Sequence, residues 1–233
     1  MQTPPPYATA TLISLPTTSD QIVPSSDFSL ASPASTRLPV LSLVSVGIIF
    51  GLTYGLSTPL LTFSLLDRGY GTHMIAALAM MHGVGVLGIA PFLPRLSGWA
   101  GPRKLLLVAL ASTAATLLLF PVVPSIWFWF PLRLLLGMAT ETMLIMSESW
   151  LNQTTDNSNR TRTMGFYSAM LSSGFATGPI LLTLVGRHGV APFAITSVFV
   201  LVAFLMVSMP WMRSPKPQRP AHSGLWRYIG LAP

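Results

Sequence analysis

Arg133, Glu141 and Glu148 share one apolar stretch of a chain in which only 8% of residues are charged. Charge inside a bilayer is rare and normally faces a polar interior, so three such groups are candidates to line the path of an ion or a polar solute. At about 1.5 Å per helical residue from Ser125, Arg133 lies about 12 Å along, Glu141 about 24 Å and Glu148 about 35 Å. The first two are therefore intramembrane, and Glu148 is near a surface. At about 100° per residue, Glu141 and Glu148 fall within about 20° of each other and Arg133 about 80° from Glu141, so all three can face one interior. Near the bilayer centre each costs about 2.5–3.5 kcal/mol, and a Leu returns only about half a kcal/mol. Such a helix inserts, but its charges avoid lipid. The plainer alternatives are an Arg133 that snorkels outward, a protonated Glu141 that hydrogen-bonds a neighbour, and a Glu148 at an ordinary solvated helix end.

His82 falls near the middle of another apolar stretch, beside Gly83 and Gly85. Its imidazole can relay a proton near neutral pH, or simply pack. His73 is nine positions away and points to the opposite side of a helix, so no ligand pair for a metal or pigment results. The chain has no cysteine, hence no thiolate metal site and no thiol nucleophile. No nucleophile with a nearby base and no phosphate-binding glycine loop is present. Neither an enzyme, a metal site nor a cofactor is expected.

The elements that carry these groups follow from composition. With 51% hydrophobic residues in 233 and a mean hydropathy of +0.62, the chain reads as an integral membrane protein. A spanning helix needs about 20 mostly apolar residues. Six stretches qualify: Pro39–Leu65, Thr72–Leu93, Lys104–Val122, Ser125–Ser149, Met164–Gly186 and Ala191–Trp211. The links between them, including Pro94–Arg103 and Asn152–Thr163, are short, so neighbouring helices are antiparallel. Residues 1–37, rich in Pro, Ser and Thr, read as a disordered cytoplasmic extension, residues 38–212 as the six-helix transmembrane domain, and residues 213–233 as a basic cytoplasmic tail.

The net charge of +7 comes from single basic residues between apolar segments, with no continuous patch for nucleic acid. Lys and Arg concentrate in cytoplasmic loops. Placing the N-terminus inside puts Arg37, Arg95, Arg103, Lys104, Arg160, Arg162, Arg213, Lys216, Arg219 and Arg227 on the inner side, against Arg68 and Arg187 outside. Both termini are then cytoplasmic, in an inner or plasma membrane. Trp127, Phe128, Trp129 and Phe130 open the fourth span at its outer end and read as a lipid-facing aromatic belt.

Gly47, Gly51 and Gly55 form a smooth stripe on the first span, where small residues let backbones approach closely in lipid. Packing within the chain and contact with a second copy both use such a stripe. Gly174 and Gly178 make a similar pair, and Pro179 removes a backbone donor beside them.

Four stretches resemble the N-terminal half of a major facilitator superfamily transporter. The fifth span carries Gly165, Gly174, Gly178 and Pro179 at the spacing of the family's antiporter signature, although Leu182 and Thr183 replace its closing glycine pair. Arg133 and Gly137 resemble the fourth-span motif whose arginine faces the central cavity and is implicated in proton coupling. Leu96, Gly101, Arg103 and Lys104 fit the hallmark second-to-third loop, with Gly98 at its usual acidic position. Glu148-Ser149-Trp150-Leu151-Asn152 resembles the inner end of the fourth helix, where an acid pairs with basic residues of that loop.

The resemblance covers roughly residues 38–233, half of a twelve-span transporter. It implies an all-α bundle of two inverted three-helix repeats that moves a small solute by alternating access, with proton coupling. Arg133, Glu141 and His82 would line the path, and Glu148 with Arg103 or Lys104 would latch the cytoplasmic gate. Gly165, Gly174, Gly178 and Pro179, with Gly47, Gly51 and Gly55, would be packing positions. The partners implied are the bilayer, the solute, protons, and a second six-helix half from another copy or a partner chain. The rival readings are a non-transporting membrane assembly partner that docks through the glycine stripe, and an inactive truncated fragment.

Overall fold

Runs of Leu, Ala, Val and Met with few charges can satisfy their backbone in lipid only as helices, since each N–H and C=O must find its partner within the segment. The computed structural model describes residues 33–210 and residue 212, with side chains from Leu38 onward. The expected N-terminal extension, apart from residues 33–37, and the basic tail lie outside the described residues. The helices are α1 (Pro33–Asp67), α2 (Thr72–Ile89), α3 (Leu93–Ala100), α4 (Pro102–Val122), α5 (Ile126–Thr154), α6 (Arg160–Val185) and α7 (Ala191–Ser208). A single 3-10 turn, Ala90–Phe92, joins α2 to α3. Six helical segments are long and apolar enough to cross a membrane, the second being α2 together with α3. No strand occurs among the described residues.

Several boundaries differ from the sequence expectation: α5 runs on to Thr154 rather than Ser149, α6 starts at Arg160 rather than Met164, and two differences are larger. The first helix starts at Pro33 rather than Pro39; proline suits a first helical position, where its missing N–H would have no partner. The expected loop Pro94–Arg103 is instead largely helical, because α3 continues the second span to Ala100. Its short sequence, Leu-Pro-Arg-Leu-Ser-Gly-Trp-Ala, is amphipathic and too brief to register as a span. Gly101 ends it at φ +81°, a conformation that strains any residue with a Cβ.

Packing follows a symmetric scheme. α1 packs on α6, α5 and α7; α2 packs on α5; and α4 packs on α5 and α7. Exchanging the first span with the fourth, the second with the fifth and the third with the sixth leaves this set of partners unchanged. An offset of three spans reverses direction across the membrane, so the bundle is two inverted three-helix repeats.

The relation extends to single atoms. A Cβ added at Gly174 would collide with the carbonyl oxygen of Ile48 and lie 2.9 Å from Leu52 N. One added at Gly85 would collide with that of Leu134 and lie 3.0 Å from Met138 N. Ile48 and Leu52 stand at −3 and +1 from Gly51, and Leu134 and Met138 stand at −3 and +1 from Gly137. The α1–α6 and α2–α5 crossings thus have one register, and α2 and α6, mates in this exchange, are also the two least buried spans.

Candidate functional site

The site is built where α1, α2 and α5 meet. Arg133 on α5 is 4% exposed, and its guanidinium donates to Ser57 Oγ at 3.5 Å and Thr58 Oγ1 at 3.3 Å, both on α1. Both contacts are long and both acceptors are neutral. A snorkelling Arg133 would turn to the aromatic end of its own helix; here it turns to the first span instead.

His82 on α2 is 5% exposed, and its Nδ1 has no hydrogen-bond partner among the described residues. Its ring meets Tyr54 of α1 edge-on at 5.2 Å. The close α2–α5 crossing holds it there, since the backbone of His82 lies directly against Gly137, one helical turn from Arg133. Tyr54 also packs on Phe175 of α6 at 5.5 Å and stacks on Phe50 at 6.3 Å. An aromatic wall thereby adjoins the polar cluster.

Glu141, one turn beyond Gly137, is half-buried and forms no ion pair among the described residues. It lies eight residues from Arg133, about 12 Å along the helix. The structure places the two on one helix and does not join them.

The residues expected at the gate are apart in this structure. Arg103 donates to the carbonyls of Val207, Ser208 and Met209, at 3.3, 2.7 and 3.0 Å, and so caps the C-terminal end of α7. Cationic side chains there satisfy carbonyls left without helical partners. Lys104 is exposed. Glu148 is also exposed and lines a cleft of about 500 Å³ with Ser149, Asn152, Gln153 and Arg160. It makes no ion pair with Arg103 or Lys104.

The glycines divide into two groups. A Cβ at Gly51, Gly55, Gly174 or Gly178 would run into the backbone across the α1–α6 crossing, and one at Gly47 would lie 2.6 Å from the Tyr167 ring. The stripe of the first span is thus occupied by α6. A Cβ at Gly165 would meet no other part of the described residues within 4 Å, and Pro179 is exposed within a continuous α6.

The aromatic belt expected at the start of α5 also divides. Trp127 and Phe128 are exposed, but Trp129 is buried, donates to Val123 O at 3.2 Å and carries the Arg68 guanidinium 4.6 Å above its ring. No metal-holding cluster of His, Asp or Glu occurs among the described residues.

Sequence reasoning did not single out Tyr54, Ser57 and Thr58. Their spacing of i, i+3 and i+4 puts three polar groups on one face of an apolar helix, and that was the available signal.

Comparison with known proteins gives concordant matches. A family profile described as Major Facilitator Superfamily matches residues 35–230. The chain is 26% identical over 172 residues to the uncharacterized MFS-type transporter YfkF of Bacillus subtilis (strain 168), covering 74% of this chain and 44% of that protein. It is 27% identical over 187 residues to the class B tetracycline resistance protein of Escherichia coli, covering 80% and 46%. It is 29% identical over 182 residues to the multidrug resistance protein MdtG of Enterobacter lignolyticus (strain SCF1), covering 76% and 42%. The chain spans less than half the length of these curated relatives.

Proposed function

The chain belongs to the major facilitator superfamily, and from that premise we propose that it moves a small solute across a bilayer by alternating access, as one six-helix half of a transport unit. The observation that carries this is the pair of equivalent glycine crossings, one of which presents His82 beside the Arg133 cluster. Inverted repeats of this kind place solute and coupling-ion sites near the midplane, where the halves meet, and rock about them.

The finer features are part of the same proposal. Arg133 and His82, with Glu141 further in, line the path; protons drive the movement; and Glu148 latches a cytoplasmic gate with Arg103 or Lys104 in a conformation other than this one. Both termini are cytoplasmic, in an inner or plasma membrane, and the second half comes from another copy or a partner chain. The efflux relatives, named for tetracycline and multidrug resistance, support movement of an organic solute. An assembly partner docking through the glycine stripe is disfavoured, because α6 already fills it.

Solute uptake or efflux in membrane vesicles carrying the chain, with and without an imposed proton gradient, tests the proposal. Gradient-dependent movement is expected; solute levels that match chain-free vesicles under both conditions refute it.

A further inference from the structure

Arg133 is a buried cation with no anion beside it among the described residues. Of the four carboxylates among the described residues, Asp67 contacts His188 at 3.4 Å, Glu148 and Asp156 line clefts at the inner end, and Glu141 stands two helical turns away. What the guanidinium has instead is two neutral hydroxyls at 3.3 and 3.5 Å. A buried charge is stable only when paired or well hydrogen-bonded, and a guanidinium presents a planar fork that fits a carboxylate through two parallel N–H donors. On α2, whose backbone at His82 lies against Gly137 one helical turn from Arg133, His82 Nδ1 has no partner among the described residues although its residue is 95% enclosed. Two incompletely satisfied polar groups, one on α5 and one on α2, therefore flank the Gly137 crossing.

The surroundings specify the rest of the ligand. Phe50, Tyr54 and Phe175 form mutually packed rings, with Phe50 edge-on to Phe175 at 5.9 Å, and Tyr54 keeps 37% of its surface exposed. Aromatic faces accept flat apolar bodies, and the phenol and imidazole supply polar tips. A cation entering here would meet the guanidinium with like-charge repulsion, and a neutral solute would leave the charge unmatched.

We propose that the Arg133 cluster binds an organic anion of the aromatic carboxylate class, its charged group on the guanidinium and its ring against Tyr54. This deepens, and rests on, the assignment of the cluster to a transport path. Charge selectivity is set at this point of the first half.

The chain has no cysteine, so Thr58→Cys places one thiol beside the guanidinium. In vesicles carrying the full chain, the labelling rates of a sulfonate-bearing and a trimethylammonium-bearing methanethiosulfonate reagent are compared. Each rate being taken relative to that reagent's rate with a free thiol in solution, the sulfonate reagent should be faster by at least about tenfold, the effect of one nearby charge at a partly buried site. Arg133→Gln should erase that preference, and Arg133→Lys should keep most of it. Benzoate should slow labelling, and benzylamine at the same concentration should not.

Equal relative rates, or a relatively faster ammonium reagent, overturn the anion site and leave transport standing. A thiol that neither reagent reaches overturns the open path, and the anion site with it. Should Arg133→Gln fail to fold, the ratio in the Thr58→Cys protein and the benzoate protection decide the matter alone.

Discussion

The carbonyl oxygen of His82 lies where a side chain on Gly137 would have to begin. The same relation holds between Leu171 and Gly51 at the other crossing. In lipid there is no hydrophobic drive between helices, so close backbone approach at such points is what holds α2 to α5 and α1 to α6.

Alanine at Gly137 or at Gly51 should therefore destabilise the bundle, because the atom in the way is backbone and cannot rotate aside. Overpacking of this kind costs about 1–3 kcal/mol. Gly165→Ala meets open space and should be neutral or stabilising by up to about 1 kcal/mol, since glycine weakens a helix interior. Thermal unfolding in detergent separates the two classes; equal melting temperatures for all three variants would dismiss the crossings as the source of stability.

Removal of Arg103 should loosen the end of α7. Its guanidinium serves the carbonyls of Val207, Ser208 and Met209, and Arg103→Ala leaves them to water at a cost of roughly 1 kcal/mol. Hydrogen exchange should rise over the last turn of α7 and stay unchanged in α5. Unaltered exchange at α7 would mean that the cap contributes nothing.

Glu141→Gln should abolish the response of transport to a proton gradient while leaving solute exchange at equal concentrations intact. A carboxyl that loads and unloads a proton is needed only for the driven step, whereas the amide keeps its shape. Unchanged driven transport would remove Glu141 from the coupling role.

A thiol at Ser158, between α5 and α6, and another at His188, between α6 and α7, should be labelled from opposite sides of the membrane, Ser158→Cys from the cytoplasm. The basis is the excess of Arg and Lys expected on the inner side. Reversed labelling would invert the topology while leaving the fold intact.

The six spans were legible because each is a run of about 20 apolar residues, a signal that needs no tertiary information. The amphipathic α3 was not, since eight residues around Pro94 and Gly98 carry no span-length pattern. Trp129 shows a finer limit: its neighbours Trp127 and Phe128 face outward, but two residues of helix turn about 200°, and what it buries against, Phe120 at 5.5 Å, lies on another helix. At the site, the depth of Arg133 could be counted along its own helix. Its partners Ser57 and Thr58, some 75 residues earlier, could not, because the helix pairing that brings them together is non-local. The gate residues show the same gap, for Arg103 finds α7 rather than Glu148.

Whether the Arg133 cluster opens in turn to the two sides of the membrane is measured most directly with a single thiol at Tyr54. Impermeant reagents are applied from each side of sealed vesicles carrying Tyr54→Cys, with and without a proton gradient. Labelling from both sides is expected, with the two rates shifting in opposite directions when the gradient is imposed. Labelling from one side only, or rates indifferent to the gradient, would contradict alternating access at this site.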